Sequence, residues 1–113
     1  MDKETAAYIR NYFSQLMTED ELLAFNHQMY TDKSEDDPRR RKLMIERGWI
    51  SERPEIAELL KNGYEEFELN VAKRIMQESP EKVFLNNCPQ CHKLARTPYA
   101  KQCRHCGHSW RES

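Results

Sequence analysis

Glycine is scarce in this chain, three residues in 113, and the scarcity removes a class of function at once. A phosphate-cradling loop needs several glycines close together, so that backbone amides can approach the phosphate. Gly48, Gly63 and Gly107 stand far apart and read as helix or turn punctuation. Long apolar runs are lacking too. None approaches the roughly 20 residues of a membrane helix, and the opening stretch MDKETAAYIR has no apolar segment behind a basic one. No membrane association and a cytoplasmic location are therefore expected. No Ser-His-Asp order is present to suggest nucleophilic catalysis. His27 reads as a structural helix residue, and the chain is not expected to be an enzyme.

Carboxylates are missing from one long stretch. Residues 82–111 carry Lys82, Lys93, Arg96, Lys101, Arg104 and Arg111 and no Asp or Glu, whereas residues 1–81 hold 12 Lys and Arg against 18 Asp and Glu. The net charge of −1 thus hides an acidic body and a basic tail. With 38% apolar and 33% charged residues, the chain is hydrophilic yet well outside the disordered range. Its length suits one folding unit with a small appended module.

The first 80 residues predict five short helices. In KETAAYIRNYFSQLM, residues Ala6, Ile9, Phe13, Leu16 and Met17 recur at helical spacing. TEDELLAFNHQMY opens on Thr18 with Glu21 three residues on, a capping box, and places Leu22, Phe25 and Met29 on one face. Asp37 and Pro38 suit the start of a helix through RRRKLMIER that ends at Gly48, with Trp49 and Ile50 plugging the joint. SERPEIAELLKNG turns Ile56, Leu59 and Leu60 inward and stops at Gly63. YEEFELNVAKRIMQESP stripes Tyr64, Phe67, Val71 and Ile75 and ends at Pro80. Met17, Met29, Met44 and Met76 read as core filling. The expected class is mainly α, a helical body over 1–80 followed by a module over 81–113.

All four cysteines lie in that module, as two C-x-x-C pairs, Cys88 with Cys91 and Cys103 with Cys106. In a reducing compartment such pairs are poor disulfide candidates, which leaves metal binding or redox chemistry. Two-residue spacing turns both thiolates of a knuckle to one side while turn amides donate to sulfur, and two facing knuckles complete a tetrahedron. KLART and AKQ form the arms of an expected β-hairpin turning near Pro98 and Tyr99. Zinc suits four soft thiolates in a closed shell, with iron in a rubredoxin-like site as the lesser alternative. A thioredoxin-like role would need one C-x-x-C at a helix start within an α/β pattern. A catalytic zinc would keep a ligand position open, and no carboxylate lies between Cys88 and Cys106 to act as base. His92, His105 and His108 read as knuckle surface residues beside a metal already satisfied.

CPQC followed by CRHCG resembles the zinc-ribbon class of modules. Beyond that, NNCPQCHKLARTPYAKQCRHCGHSW behind ELLKNGYEEFELNVAKRI resembles a family of small bacterial proteins found mainly among Bacteroidetes, with the pattern NNCPxCxKLARTPxAKQCRxCG. The resemblance implies the fold and the metal and no particular activity.

A four-thiolate zinc site carries a formal charge of −2, so the module keeps about +4. Lys93, Arg96, Lys101 and Arg104 with Tyr99 would suit single-stranded nucleic acid, cations on phosphates and ring on base. Alternatively the basic module docks on its own acidic body, with Trp110, Phe84 and Leu85 as the seam. PRRRK reads as a solvated helix start, and the two helices about Gly48 make a poor helix-turn-helix because the second carries Glu52, Glu55 and Glu58. The leading expectation is a non-catalytic zinc-binding adaptor with a protein partner; the runner-up is a nucleic-acid-binding regulator.

Overall fold

The computed structural model describes residues 1–111; residues 112 and 113, the end of the expected 81–113 module, lie outside the described residues. Among the described residues five helices follow one another: α1 (Lys3–Tyr12), α2 (Glu19–Lys33), α3 (Pro38–Glu46), α4 (Pro54–Leu59) and α5 (Tyr64–Glu78), with one-turn 3-10 helices at Ser14–Leu16 and Pro80–Lys82. Their starts are chemically specified. Asp2 accepts from the Thr5 amide at 2.7 Å and caps α1. Thr18 and Glu21 form the complete capping box of α2, at 2.8 and 3.1 Å. Asp37 accepts from the Arg40 amide at 3.1 Å, with Pro38 opening α3. Each arrangement supplies acceptors to amides that have no intrahelical partner.

α1 packs on α5, and α2 on α4. The core between them holds Ala6, Tyr8, Ile9, Phe13, Met17, Ala24, Ile56, Phe67, Val71, Ala72 and Ile75. The molecule is long, 52 × 30 × 22 Å with a radius of gyration of 17.1 Å, against about 13 Å for a compact chain of this length. α3 packs on α2. Its first turns contain only Pro38, three arginines and Lys42, with nothing apolar to bury, and only Met44 of the helix is buried.

Several inward assignments need correction. Leu22 is 38% and Leu59 37% exposed; α2 instead buries Glu21 and Ala24. The cause lies in what surrounds α2. Phe25 meets the α5 residue Tyr64 at 6.3 Å between rings, while His27 on another face receives the Ser51 amide at 3.0 Å. A helix gripped on two sides has no single apolar stripe to read. Trp49 does not plug the joint; it lies stacked on Tyr30 at 5.1 Å, 40% exposed, while Ile50 alone is buried.

Among the described residues there is no sheet, and the expected hairpin of KLART with AKQ is absent. Two isolated antiparallel bridges occur instead, Asn87 with Leu94 and Gln102 with Ser109. Each lies across one cysteine knuckle, not between the two.

Candidate metal centre

The two knuckles are built alike, fifteen residues apart in the chain. In the first, the Cys88 amide donates to the Lys93 carbonyl at 2.9 Å, His92 to Cys88 at 2.9 Å and Ala95 to Asn86 at 2.7 Å. In the second, Cys103 donates to His108 at 2.8 Å, Gly107 to Cys103 at 3.1 Å and Trp110 to Lys101 at 2.8 Å. The turn demands a left-handed residue after the second cysteine. Gly107 takes φ 80° there, and His92 takes φ 65°, the single non-glycine with positive φ among the described residues. The turn then aims amides at sulfur: Gln90 and Cys91 donate to Cys88 Sγ at 3.4 Å, and His105 and Cys106 to Cys103 Sγ at 3.3 and 3.4 Å.

The knuckles face one another and bring the four sulfurs within 4.8 Å. Across the pair, Cys88 Sγ is 3.7 Å from Cys106 Sγ, and Cys91 Sγ is 3.5 Å from Cys103 Sγ. A tetrahedron with metal–sulfur bonds of about 2.3 Å has edges of about 3.8 Å, so the donor set fits one metal ion with four sulfur ligands. The thiols do not ionise alike. The Cys106 amide, with that of His105, pulls the Cys103 thiol down to about 6 against the effect of burial. Burial opposes ionisation of Cys88, yet the Cys91 and Gln90 amides carry its pKa below the usual thiol value. At Cys91 the Lys93 amide favours the thiolate, but burial and the neighbouring sulfurs push it up to about 11. Turn amides aimed at the first sulfur of each knuckle favour its thiolate, and full ionisation of four clustered sulfurs calls for a cation among them.

The cysteine segment rests on α1. Val83, Leu85 and Leu94 pack against the helical core, whereas Phe84, expected in the seam, is 58% exposed. Tyr8 of α1 donates to the Phe84 carbonyl at 2.6 Å and accepts from the Asn86 amide at 3.3 Å. Glu4, in the first turn of α1, forms an ion pair with Arg104 and lies 3.6 Å from His105 Nε2. His108 stacks on Trp110 at 6.2 Å, and His92 is exposed; no histidine joins the sulfur cluster.

Of the residues considered for nucleic acid, Arg104 is thus engaged by Glu4, while Lys93, Arg96, Tyr99 and Lys101 are exposed. Tyr8, Glu4 and Asn86 were missed from sequence. Tyr8 lies on the apolar side of α1, where a buried tyrosine needs a partner for its hydroxyl, and that signal was available. Asn86 precedes the first knuckle, and its side chain reaches residues that sequence spacing does not connect to it.

Among the described residues no helix is long and apolar enough to cross a membrane. No protein-family model, no curated protein and no solved structure matches this chain.

Proposed function

We propose that this protein is a non-catalytic zinc-binding adaptor of the cytosol, in which one zinc ion held by Cys88, Cys91, Cys103 and Cys106 fixes the C-terminal module. The observation that carries the reading is the convergence of four sulfurs, at 3.5 and 3.7 Å across the two knuckles. Four thiolates close a tetrahedral shell, which is the pattern of structural and not catalytic zinc. The same segment offers no carboxylate from Lys82 to Arg111, and His105, the histidine nearest a carboxylate, faces Glu4. About thirty residues with few apolar side chains cannot bury enough surface to fold alone, so the ion supplies what the core lacks. The sequence resemblance to zinc ribbons and to the small bacterial family points the same way. The module's role is then to present a binding surface, with a protein as the partner of the helical body.

Metal analysis and limited proteolysis of Cys103→Ser test the reading. The parent chain is expected to hold one zinc ion, and the variant to lose it and become cleavable after residue 82 while its helices persist. Stoichiometric zinc with full protection in the variant refutes the structural role. A red protein with visible absorption means iron instead. Co-purification of the tagged chain from its native cytosol, with bound protein and nucleic acid both identified, tests the adaptor role.

A further inference from the structure

Tyr99 is 82% exposed, more than any other large apolar or aromatic side chain among the described residues. A ring on a loose loop would fold back onto the surface, yet this one stands on a pinned turn. The Ala100 amide donates to the Thr97 carbonyl at 3.3 Å, and the Tyr99 amide to Thr97 Oγ1 at 3.2 Å. Behind them Asn86, only 6% exposed, donates through Nδ2 to the carbonyls of both Thr97 and Ala100 at 2.9 Å. Pro98 fixes one further dihedral. The turn therefore gives up little conformational freedom on binding.

Asn86, which pins the turn, also donates its backbone amide to the Tyr8 hydroxyl at 3.3 Å, and Tyr8 links the turn to further aromatic residues. Phe84 is 58% and Tyr12 37% exposed, and both connect to Tyr8, Tyr12 by ring contact at 5.6 Å and Phe84 by its carbonyl. Tyr12 and Arg96 share an open cleft of about 200 Å³ between α1 and the cysteine segment, whose one carboxylate, Glu4, is paired with Arg104. Arg96 and Lys101 flank the turn in sequence, and neither forms an ion pair among the described residues.

We propose that Tyr99, with Phe84, Tyr12, Arg96 and Lys101, forms a binding site for single-stranded nucleic acid, a function beyond the adaptor reading and independent of it. Exposed rings stack on unpaired bases, and the two cations pair with the intervening phosphates. A duplex keeps its base faces inside the stack, out of reach of a projecting ring. An acidic peptide would satisfy Arg96 and Lys101 but would leave the rings without a purpose.

The test uses the zinc-loaded full chain and labelled oligo-dT and oligo-rU of about ten nucleotides, within the range of single-strand sites. Two phosphate contacts predict a loss of affinity of about sevenfold between about 50 and 200 mM salt. Tyr99→Ala should weaken binding between about 5-fold and about 150-fold, as expected for one lost stacking contact, while Tyr99→Phe should bind like the parent. Arg96→Glu combined with Lys101→Glu should abolish the salt dependence. Comparison of the two oligomers shows whether DNA or RNA is preferred. The proposal is overturned if neither oligomer binds at low salt, if Tyr99→Ala binds unchanged, or if a duplex of equal length binds as tightly. It is likewise overturned if polyglutamate displaces the oligomers regardless of Tyr99, which would indicate an acidic protein instead.

Discussion

Replacing Tyr8 with Phe removes one oxygen from the interface between α1 and the cysteine segment and leaves the ring, which is only 3% exposed, where it is. That oxygen has two partners, the Phe84 carbonyl at 2.6 Å and the Asn86 amide at 3.3 Å. The carbonyl belongs to an exposed residue and can take up water, so its loss costs about 0.5–1 kcal/mol. The Asn86 amide is buried and stays unsatisfied, costing about 1–2 kcal/mol. The sum is about 2 kcal/mol, or roughly 8 °C in melting temperature at about 4 °C per kcal/mol. Urea unfolding followed by helical circular dichroism, with and without chelator, measures it. If the ion holds the segment that supplies Phe84 and Asn86, then stripping the metal lets water reach the Tyr8 hydroxyl in the parent and the Phe84 carbonyl and Asn86 amide in the variant. The difference should then shrink below about 0.5 kcal/mol. Equal losses in both states, or less than about 0.5 kcal/mol in the loaded protein, would refute the coupling of metal, Asn86 and Tyr8.

Glu21→Ala removes a buried carboxylate that receives Arg74 through Nε at 2.8 Å and a second nitrogen at 2.6 Å, and caps α2 through the Thr18 amide. A loss of about 2–4 kcal/mol in urea unfolding is expected, with Glu21→Gln intermediate because its amide oxygen still caps. His92→Gly should stabilise the metal-loaded segment by about 0.5–1 kcal/mol, and Gly107→Ala at the matching position should cost about 1 kcal/mol, since both residues have positive φ. Thermal release of the ion, read by a colorimetric chelator, ranks the three proteins. Burial, then the nearby Arg41, lowers the pKa of His27 from its ordinary 6.5. The unfolded chain therefore takes up the proton first, and stability present above about pH 6.5 should fall as pH drops through the folded value. A His27→Gln variant should show a flatter decline in stability between neutral and mildly acidic pH.

Helix number and helix starts were legible because they depend on local chemistry. Thr18 with Glu21, Asp37 with Pro38, and the stripe of Phe67, Val71 and Ile75 are each decided within a few residues, and the structure has all three. The faces of α2 and α4 were not legible. Leu22 and Leu59 are apolar at acceptable spacing, but their burial depends on which neighbours arrive, and α2 is met on one side by α5 and on another by the chain around Ser51. The hairpin failed for a related reason. Sequence placed its arms between the cysteine pairs, where Thr97, Pro98 and Tyr99 look like a turn with flanking strands. The carbonyls of Thr97 and Ala100 instead receive the Asn86 side chain, and Pro98 has no amide to contribute to a ladder. Pairing then occurs within each knuckle, where the turn around the cysteines fixes the register.

The cysteines themselves were legible because the spacing of a knuckle is a covalent constraint, and the same spacing generates the fifteen-residue correspondence that places His92 where Gly107 stands. The fate of the basic residues was not. Composition treats Lys93, Arg96, Lys101 and Arg104 as one charge and asks whether it meets a phosphate or the acidic body. The fold answers residue by residue. Arg104 and His105, in the turn of the second knuckle, meet Glu4, a carboxylate that also suits the first turn of α1 by opposing the helix dipole. Arg96 and Lys101, on either side of the turn pinned by Asn86, have no such partner among the described residues. Docking on the body and an exposed cationic surface are therefore not alternatives: the ion pair that fixes the segment on α1 leaves Arg96 and Lys101 on either side of the Tyr99 turn, and single-residue charge reversals separate the two roles where a count of charges cannot.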